Sequence, residues 1–278
     1  MKCNKMELIF CLVLGISGVL NLFASEAARA GKVDPVPLRL VTMNVQCFTG
    51  DWQFRLSQIL DSFIELSPDV IGLQEVCVDK ESKQSQIEFI RNYLVNRPWG
   101  KTYGLRGIES QFTHEAWGRY DESLVILTKL EVSAVDKGFL PASLLQRGYV
   151  AFLIDGVWYI NTHLEYKSEN AQARKNQIEF LMGRFAKQNH VIGGDFNSSP
   201  DSQDQARLRG EGYLDIFPGD SHLGSDGNSS ARIDGFWISP KFRSAISGIS
   251  SEVFLNKKVQ DQYLSDHFAI RADLQLTF

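Results

Sequence analysis

Strand–helix units and a hairpin occur in the same chain, and this mixture limits the fold more than any other sequence feature. Residues 38–44 (LRLVTMN) form an apolar stretch typical of a strand, residues 54–66 (FRLSQILDSFIEL) carry an apolar stripe at helical spacing, and residues 69–75 (DVIGLQE) are again strand-like. A strand–helix–strand unit places its two strands side by side and parallel, so their carboxyl ends meet at one edge.

A hairpin interrupts this pattern further along. Residues 149–155 (YVAFLID) and 157–163 (VWYINTH) meet at Asp155-Gly156, which is a two-residue turn signal. Because parallel units and hairpins alternate, the sequence predicts an α+β fold in which mixed β-sheets pack face to face with helices outside. Further strands are predicted at residues 122–128, 232–239 and 267–276, and further helices at residues 85–94 and 169–188.

The first 30 residues have the pattern of a secretory signal peptide. Two lysines precede an apolar run at residues 8–24, and the small-x-small sequence Ala28-Arg29-Ala30 follows it. We therefore expect cleavage after Ala30, a linker at residues 31–37, and a single domain at residues 38–278 that is secreted or periplasmic. An uncleaved membrane anchor is the alternative.

Cleavage would make an acidic chain slightly more acidic. Lys+Arg falls from 29 to 26 and Asp+Glu from 33 to 31, which moves the formal net charge from −4 to −5. Proteins that hold nucleic acid without sequence preference usually present a basic surface, so this charge argues against a broad nucleic-acid footprint. A nuclease that touches few phosphates stays compatible with it.

Two cysteines, Cys47 and Cys77, remain after cleavage in a compartment that permits disulfides. They either form a bridge or stay as two buried thiols, and their positions just beyond two predicted strands favour the bridge. Their spacing does not match a C-x-x-C zinc ligand pair. The chain also has no phosphate-binding G-x-x-x-x-G-K-[ST] loop and no G-x-S-x-G nucleophile motif, so nucleoside triphosphatase and serine hydrolase functions are excluded.

Polar residues follow the predicted strands one after another. The sequence HVIGGDFN at residues 190–197 is the clearest case: two glycines allow close approach to the backbone, and Asp195 and Asn197 lie two positions apart. Each such residue alone is typical of an ordinary turn. Seven or eight of them in sequence, each at a strand end, instead indicate a shared site.

Seven short motifs occur in a fixed order along the chain. They are TMNVQ (42–46), GLQEV (72–76), YDESLVIL (120–127), NTHL (161–164), GGDFN (193–197), RIDGFWIS (232–239) and SDHFAI (265–270). This ordered set resembles the endonuclease/exonuclease/phosphatase superfamily, which includes deoxyribonucleases, sphingomyelinases and inositol-polyphosphate phosphatases. The resemblance covers nearly all of residues 38–278 and implies a four-layer α/β/β/α sandwich with two packed mixed β-sheets.

The resemblance also implies a metal-dependent phosphoesterase. Glu75 would bind Mg²⁺, supported by Asn44 and by Asp266, because a hard cation prefers oxygen ligands and retains several waters. Mn²⁺ or Ca²⁺ are alternatives. Asp195 would orient or activate the attacking water, and Asn197 beside it would donate to a phosphoryl oxygen.

Two histidines complete the implied catalytic set. His267 would bind phosphate or transfer a proton, with Asp234 holding its imidazole, and His163 would lie near the leaving group. Glu122 would be the carboxylate partner of His163, and Arg147 would contact the phosphate. The two other histidines outside predicted elements, His114 and His222, are expected in loops with no assigned role.

The sequence favours hydrolysis of phospholipid head groups in the manner of sphingomyelinase C, with a secreted nuclease or a phosphoinositide phosphatase as alternatives. A catalytically inactive binding protein is disfavoured because no catalytic residue is missing. We expect a monomer that acts on a phosphate ester without a protein partner and touches a membrane surface transiently. Substrate choice is expected to depend on loops at residues 97–120 and 136–147. Ordinary core packing is the favoured interpretation of a set of apolar residues in these loops, and membrane contact is the alternative: Phe112, Trp117, Phe139, Leu140, Leu144 and Leu145.

Overall fold

The computed structural model describes residues 34–95, 97, 105–116, 118–141, 144–223 and 230–277. The folded unit spans residues 36–276. In chain order the strands are β1 Val36–Asn44, β2 Val70–Asp79, β3 Gly107–Ala116, β4 Tyr120–Thr128, β5 Ala134–Phe139, β6 Gly148–Ile154, β7 Val157–His163, β8 Asn189–Asp195, β9 Leu214–Ile216, β10 His222–Leu223, β11 Ser230–Ala231, β12 Asp234–Ile238, β13 Ile246–Phe254 and β14 Ala269–Leu276. The helices are α1 Trp52–Leu66, α2 Gln86–Val95, α3 Ala171–Arg184, α4 Ala206–Gly210 and α5 Pro240–Arg243, with a 3₁₀ turn at Ser168–Asn170.

Two six-stranded sheets form the centre of the fold. The first sheet has the order β13-β14-β1-β2-β4-β3, and the second has the order β5-β6-β7-β8-β12-β9. In each sheet the central pair is parallel, β1 with β2 and β7 with β8, and the other pairs are antiparallel. Helix α1 connects the first parallel pair and α3 connects the second, so each sheet contains one strand–helix–strand unit.

Three apolar clusters separate four layers. Side chains such as Leu40, Phe152 and Ile270 fill the space between the two sheets. On the outer face of the first sheet, α1 and α2 contribute buried residues such as Ile59 and Leu94. On the outer face of the second sheet, buried side chains of α3 pack against β7, β8 and β12. The α/β/β/α sandwich with two mixed sheets is therefore confirmed.

The two parallel pairs decide where polar side chains collect. Asn44, the last residue of β1, pairs with Gln74 in β2, and His163, the last residue of β7, pairs with Asp195 at the end of β8. Because the carboxyl ends of parallel strands meet at one edge, each sheet brings a cluster of polar residues to its own edge.

A buried polar contact links the two sheets close to this edge. Gln74 in β2 donates to Asn161 in β7 at 2.6 Å, and the Asn161 amide donates to the carbonyls of Leu73 and Val125 at 2.8 and 2.9 Å. Satisfied amide groups of this kind fix one relative position of the two layers, since any shift would leave buried polar atoms unpaired. The strand ends of both sheets thus share one frame.

Several sequence-based boundaries differ from the structure. Strand β1 begins at Val36, which pairs with Leu276, so the last two residues of the predicted linker belong to the sheet. Much of the predicted loop at residues 97–120 is the edge strand β3, and residues 136–139 of the second predicted loop are in β5. The predicted signal peptide and Trp117 lie outside the described residues.

The edge strands β3 and β5 are not predicted from the sequence, and the reason is the same for both. Strands β3 and β5 pair on one side only, so polar residues such as Gln111 and Lys137 are tolerated and the apolar pattern is weak. Strand β13 was missed likewise, because most of its residues are exposed at the other edge of the first sheet. Within the described part of the chain, no helix has the length and apolar character needed to cross a bilayer.

Candidate active site

A cleft of about 470 Å³ opens where the carboxyl ends of the two parallel strand pairs face each other. Acids, amides, imidazoles and one guanidinium share this cleft. Its lining residues are Glu75, His114, Glu115, Ala116, Glu122, Leu145, Arg147, His163, Tyr166, Asp195, Asn197, His222, Asp266 and His267. The predicted site residues Glu75, Glu122, Arg147, His163, Asp195, Asn197, Asp266 and His267 are thus brought together.

Glu75 owes its position to an irregularity in β2. The pairing of β2 with β4 shifts between Leu73 and Val76, and Glu75 has the left-handed backbone angle φ of 54°. Such a bulge turns a side chain out of the regular alternation, and bulges are common beside active sites. The carboxylate accepts a hydrogen bond of 2.9 Å from the amide of Asn44.

Asn44 acts on two carboxylates at once. Its Nδ2 donates to Glu75 and lies 3.2 Å from Oδ2 of Asp195, while its Oδ1 accepts from the backbone N–H of Gln46. In this arrangement the Asn44 amide nitrogen faces the site and orients both acids, rather than offering its oxygen as a ligand. Asn44 itself is completely buried.

Burial and the nearby charge of Glu122 raise the pKa of Glu75 to about 7, against the hydrogen bond from Asn44. Among the described residues Glu75 forms no ion pair with lysine or arginine. Asp266, whose Oδ1 lies 3.4 Å from the hydroxyl of Ser265, adds a further acid to the same cleft. Carboxylate oxygens without such an ion pair fit a hard divalent cation.

Asp195 ends β8 and is almost fully buried. Its Oδ1 accepts from the backbone N–H of Asn197 at 2.9 Å, and Asn197 itself has φ of 52°. Burial tends to raise the pKa of Asp195, but the charge of His267 and the proximity of His163 outweigh it and lower the pKa. The Asn197 amide donates to the carbonyl of Leu164 at 3.1 Å, so its side chain is held beside the acid.

Neighbouring strands, and not a ligand, occupy the space beside the two glycines that precede Asp195. A Cβ on Gly194, which has φ of 140°, would lie 1.9 Å from the carbonyl oxygen of Thr162 in β7. A Cβ on Gly193 would lie 2.5 Å from the ring of Phe236 in β12. The glycines therefore let β8 pack tightly between its neighbours, which fixes Asp195 in the wall of the cleft.

His267 is the charged imidazole of the site. Its Nδ1 lies 2.9 Å from Oδ2 of Asp234, and its Nε2 lies 3.7 Å from Oδ2 of Asp195. Burial alone would lower the pKa of His267, but these two carboxylates outweigh burial and raise it to about 10. The predicted pairing of Asp234 with His267 is present in the structure.

Asp234 is positioned in turn by Ser221. The Ser221 hydroxyl donates to Asp234 Oδ2 at 2.8 Å and accepts from the backbone N–H of Asp234 at 2.9 Å. Both residues are completely buried. Ser221 was not identified from the sequence, since a serine in a turn carries no distinguishing signal.

His163 has the opposite electrostatic character. Its Nδ1 lies 3.1 Å from Nη1 of Arg147, and its Nε2 lies 3.4 Å from Oδ2 of Asp195. Burial and the Arg147 guanidinium lower the pKa of His163 well below its usual value. Because Arg147 can only donate, Nδ1 of the neutral ring accepts and the proton resides on Nε2.

Glu122 and Arg147 both lie beside the same nitrogen of His163. Glu122 Oε1 lies 3.5 Å from His163 Nδ1, as the expected pairing implies, and Arg147 Nη1 lies 3.3 Å from Glu122 Oε1 and 3.1 Å from His163 Nδ1. Arg147 is thus a partner of His163 as well as a residue of the cleft wall. Burial raises the pKa of Glu122, whereas Arg147 and His114 act against this.

Both histidines expected in loops without a role lie in strands that line the cleft. His114 is in β3, where its Nε2 lies 3.5 Å from Oε2 of Glu122. His222 is in β10, and its ring centroid lies 4.5 Å from that of His267. Burial lowers the pKa of both. Neither could be found from its flanking residues, because the contacts join segments distant in sequence.

Arg55 supports the floor of the site without lining it. This buried side chain of α1 donates hydrogen bonds of 2.5–3.2 Å to five backbone carbonyls, which belong to Val45, Gln46, Cys47, Thr49 and Leu264. It ties the loop after β1 to the segment before Asp266. A disulfide joins Cys47 to Cys77 on the same wall, with the two Cα atoms 5.2 Å apart.

The apolar residues considered for core packing or membrane contact divide into two groups. Leu140 is buried in the core of the second sheet, as the favoured interpretation of core packing predicts. Phe112, Phe139 and Leu144 are exposed, at 45%, 51% and 57% of their surface, and Leu145 lines the cleft.

The comparisons with known proteins agree with this geometry. A family model described as "Endonuclease/Exonuclease/phosphatase family" matches residues 41–267. A family protein from Leptotrichia buccalis C-1013-b superposes with a TM-score of 0.69 at 17% identity, covering 87% of this chain and 100% of that one.

Two further solved structures show the same architecture. An endonuclease/exonuclease/phosphatase from Beutenbergia cavernae has a TM-score of 0.69 at 19% identity, covering 86% of this chain and 72% of that one. Truncated TDP2 from Caenorhabditis elegans has a TM-score of 0.63 at 18% identity, covering 86% and 97%. A search of curated protein sequences found no match.

Proposed function

Because this chain belongs to the endonuclease/exonuclease/phosphatase family, whose members are divalent-metal-dependent hydrolytic phosphoesterases, we propose that it hydrolyses phosphodiesters. One observation carries the proposal. Asp195 lies between two imidazoles of opposite character, with neutral His163 at 3.4 Å and cationic His267 at 3.7 Å from the same carboxylate oxygen. Hydrolysis of a phosphate ester needs an acceptor for the water proton and positive charge for the phosphoryl oxygens, and this trio offers both.

The residues suggest a division of roles. Asp195, with its lowered pKa, stays ionised and accepts the proton of the attacking water as the new P–O bond forms. His267 carries the positive charge that meets the phosphoryl group, and it is the imidazole with a proton to give to the departing oxygen. His163 is neutral, so it donates a hydrogen bond through Nε2 and orients Asp195 or the substrate without releasing its proton.

Glu75 and Asp266 are the proposed ligands of Mg²⁺, with Asn44 orienting Glu75. The ion would supply charge neutralisation at the phosphoryl and departing oxygens. The donor set fits, since carboxylate oxygens dominate it and Glu75 is not paired with a cationic side chain within the described ranges. Mn²⁺ and Ca²⁺ accept the same ligands, so the choice of ion is left to titration.

We favour a phospholipid head group as the substrate. An apolar rim, which we define as Phe112, Phe139, Leu144 and Tyr166, is exposed, and two of its members adjoin the cleft: Tyr166 lines it and Leu144 precedes Leu145 of its wall. Exposed apolar side chains beside a polar cleft suit a substrate with a charged head and apolar tails. The acidic net charge agrees with this preference.

A nucleic acid is the second candidate, because Tyr166 also offers an exposed ring inside the cleft. Aromatic rings of this kind stack on bases regardless of sequence. The structural similarity to TDP2 does not decide between the two candidates, because an identity below 20% shows the fold and not the substrate.

A panel of substrates tests the proposal. Purified protein with Mg²⁺ would be offered sphingomyelin vesicles, supercoiled DNA and phosphoinositides, with EDTA and His267→Ala as controls. Turnover of a diester that requires the metal and His267 supports the proposal. Nicking of DNA without lipid turnover would refute the phospholipid substrate and support the nuclease. Turnover of phosphomonoesters alone would refute the diesterase assignment.

We propose that the chain is exported, with residues 1–30 as its signal peptide. The disulfide between Cys47 and Cys77 supports this, because such bonds persist in oxidising compartments. Amino-terminal sequencing of the protein recovered from the culture medium or periplasm would begin at Gly31. An unprocessed chain retained in the cell would contradict it.

A further inference from the structure

We propose that His222, Asp266 and His267 form a site for a transition-metal ion of the Zn²⁺ type, separate in character from the oxygen-rich Mg²⁺ site. One ligand atom from each of the three side chains lies within 4.8 Å of the other two. Two imidazole nitrogens and one carboxylate oxygen form a donor set that suits Zn²⁺, whereas Mg²⁺ prefers oxygen alone.

Backbone hydrogen bonds fix the two chain segments that carry these three side chains. The N–H of Leu223 donates to the carbonyl of Asp266 at 2.8 Å, and the N–H of Phe268 donates to the carbonyl of Ser221 at 2.6 Å. An antiparallel bridge pairs His222 with His267 directly. Preformed geometry of this kind reduces the ordering cost of binding an ion.

Hydrogen bonds beyond the three side chains also match a metal site. Asp234 accepts a hydrogen bond of 2.9 Å from Nδ1 of His267, so Nε2 of that ring is the ligand atom and releases its proton when the ion binds. Ser221 fixes Asp234 in turn. A carboxylate behind a ligating histidine orients the ring and raises its basicity, and loss of such a partner typically weakens metal binding about 10–100-fold.

Occupation of this site would inhibit the proposed reaction. The Nε2 atom of His267 cannot bind Zn²⁺ and donate a proton at the same time, so the ion removes the charged imidazole from the phosphate site. Asp266 is shared with the proposed Mg²⁺ ligands, so the two ions would also compete. This consequence rests on the proposed function, whereas binding itself does not.

Binding is measured with Co²⁺ as a spectroscopic substitute for Zn²⁺ in purified, tag-free protein. We expect one equivalent of Co²⁺ to give visible absorption bands of a low-coordinate nitrogen-containing site, and Zn²⁺ to displace it. His222→Gln should weaken Zn²⁺ binding by at least ~10-fold. His222→Cys should retain binding, since a thiolate also ligates Zn²⁺.

His114→Gln is the matched control, because it removes another cleft histidine outside the cluster. Circular dichroism and thermal unfolding show whether each variant is folded. Unchanged Zn²⁺ affinity in His222→Gln, or affinity lost equally in His114→Gln, would overturn the proposal. So would the absence of a Co²⁺ spectrum in the unaltered chain.

A second readout uses turnover, with the rate of each variant normalised to its own rate without Zn²⁺. Zn²⁺ should inhibit the Mg²⁺-supported reaction of the unaltered chain, and His222→Gln should need at least ~10-fold more Zn²⁺ for the same inhibition. If the chain shows no turnover at all, the proposed function fails while the Co²⁺ result still decides the metal site. Equal inhibition of both proteins would overturn the assignment of His222.

Discussion

At the scale of single residues, two buried acids near His267 have separate tasks. Asp195 faces the cleft and should contact the reacting water, whereas Asp234 touches Nδ1 of His267 from behind. Removing either acid should slow the reaction, but for different reasons. Mutational experiments can separate the two roles because one acts on the substrate and the other acts through an imidazole.

We expect Asp195→Asn and His267→Ala each to lower kcat by at least ~10²-fold, as loss of a proton-transfer group usually does. The measurement is steady-state turnover of the substrate identified in the panel. Asp215→Asn is the control, since Asp215 is an exposed carboxylate in strand β9 at the far edge of the second sheet. A kcat near that of the unaltered chain in either site variant would contradict the assigned roles.

Asp234→Asn should change the pH profile of turnover. The pKa of His267 is raised to about 10 by Asp234 and Asp195, so its imidazolium is complete at neutral pH and is lost as pH rises through about 10. Without one carboxylate the pKa should fall by roughly 1–3 units, and the falling limb of the profile should move to lower pH. The same charge stabilises the fold below about pH 6.5 and less as pH approaches 10.

The measurement is kcat/KM from pH 6 to pH 10 for both proteins, with thermal unfolding to confirm that the variant is folded. Ser221→Ala removes the hydroxyl behind Asp234 but leaves its carboxylate, so it should move the limb much less. An unshifted limb with a uniformly lower rate would mean that Asp234 serves only the structure.

At the scale of elements, the site residues at the strand ends could be predicted from the sequence, whereas the residues that hold those strand ends in place could not. Four site residues follow apolar strand patterns: Asn44, Glu75, His163 and Asp195. Because the strands of each strand–helix–strand unit are parallel, their carboxyl ends lie at the same edge of the sheet. Arg55 is in a helix and looks like an ordinary polar position, yet it holds five backbone carbonyls that only the folded loop presents.

The histidines of the edge segments illustrate the same limit. His114 and His222 reach the cleft because β3 pairs with β4 and β10 bridges to His267, which are contacts between segments distant in sequence. No local periodicity encodes them, since edge strands tolerate polar residues. Gly194 shows the reverse case: its local signal was clear, but the atom that approaches it comes from Thr162.

Arg55→Met should lower the free energy of unfolding by at least ~3 kcal/mol, since it leaves several buried carbonyls without donors. Urea unfolding followed by circular dichroism measures this. Arg55→Lys should recover only part of the loss, because one ammonium cannot reach all five carbonyls. Arg91→Met, at an exposed position of α2, should change stability by less than about 0.5 kcal/mol. Equal effects at the two positions would contradict the supporting role of Arg55.

The disulfide should stabilise the first sheet beside Glu75. Residues Cys47 and Cys77 close a loop with a sequence separation of 30, worth about 3–4 kcal/mol in the loop-entropy treatment. We expect Cys47→Ser together with Cys77→Ser to lose about this amount in urea unfolding. Alkylation of the unreduced, unfolded chain should label neither cysteine. Labelling of both would show that the bond is absent.

At the scale of the whole molecule, the cleft between the two sheets contains acids whose ionisation affects the stability of the fold. Burial and Glu122 raise the pKa of Glu75 to about 7, above its ordinary value of 4.5. Ionising Glu75 therefore costs folding free energy, and the stability of the metal-free protein should fall as pH rises through about 7. A divalent cation removes this cost where Glu75 is ionised.

Mg²⁺ should accordingly raise Tm more at pH 8 than at pH 5.5. Saturation at a hundred times the dissociation constant corresponds to about 2.7 kcal/mol. Differential scanning fluorimetry with Mg²⁺ or EDTA measures the difference, and Glu75→Gln should abolish most of its pH dependence. A Mg²⁺ effect that is equal at the two pH values, or that survives Glu75→Gln, would place the ion elsewhere.

The apolar rim should affect how the protein binds and hydrolyses lipid in vesicles. Phe139 and Leu144 are exposed at 51% and 57%, and burying such side chains in lipid is favourable by about 25 cal/mol per Å². Phe139→Ser with Leu144→Ser should therefore reduce hydrolysis of vesicle lipid by about tenfold or more, while hydrolysis of a soluble short-chain analogue stays within about twofold, because the catalytic groups are untouched. Ile249→Ser, at an exposed apolar position of the edge strand β13, should leave both rates unchanged. Vesicle sedimentation measures binding directly, and equal losses on vesicles and soluble analogue would assign these side chains to substrate positioning instead of surface contact.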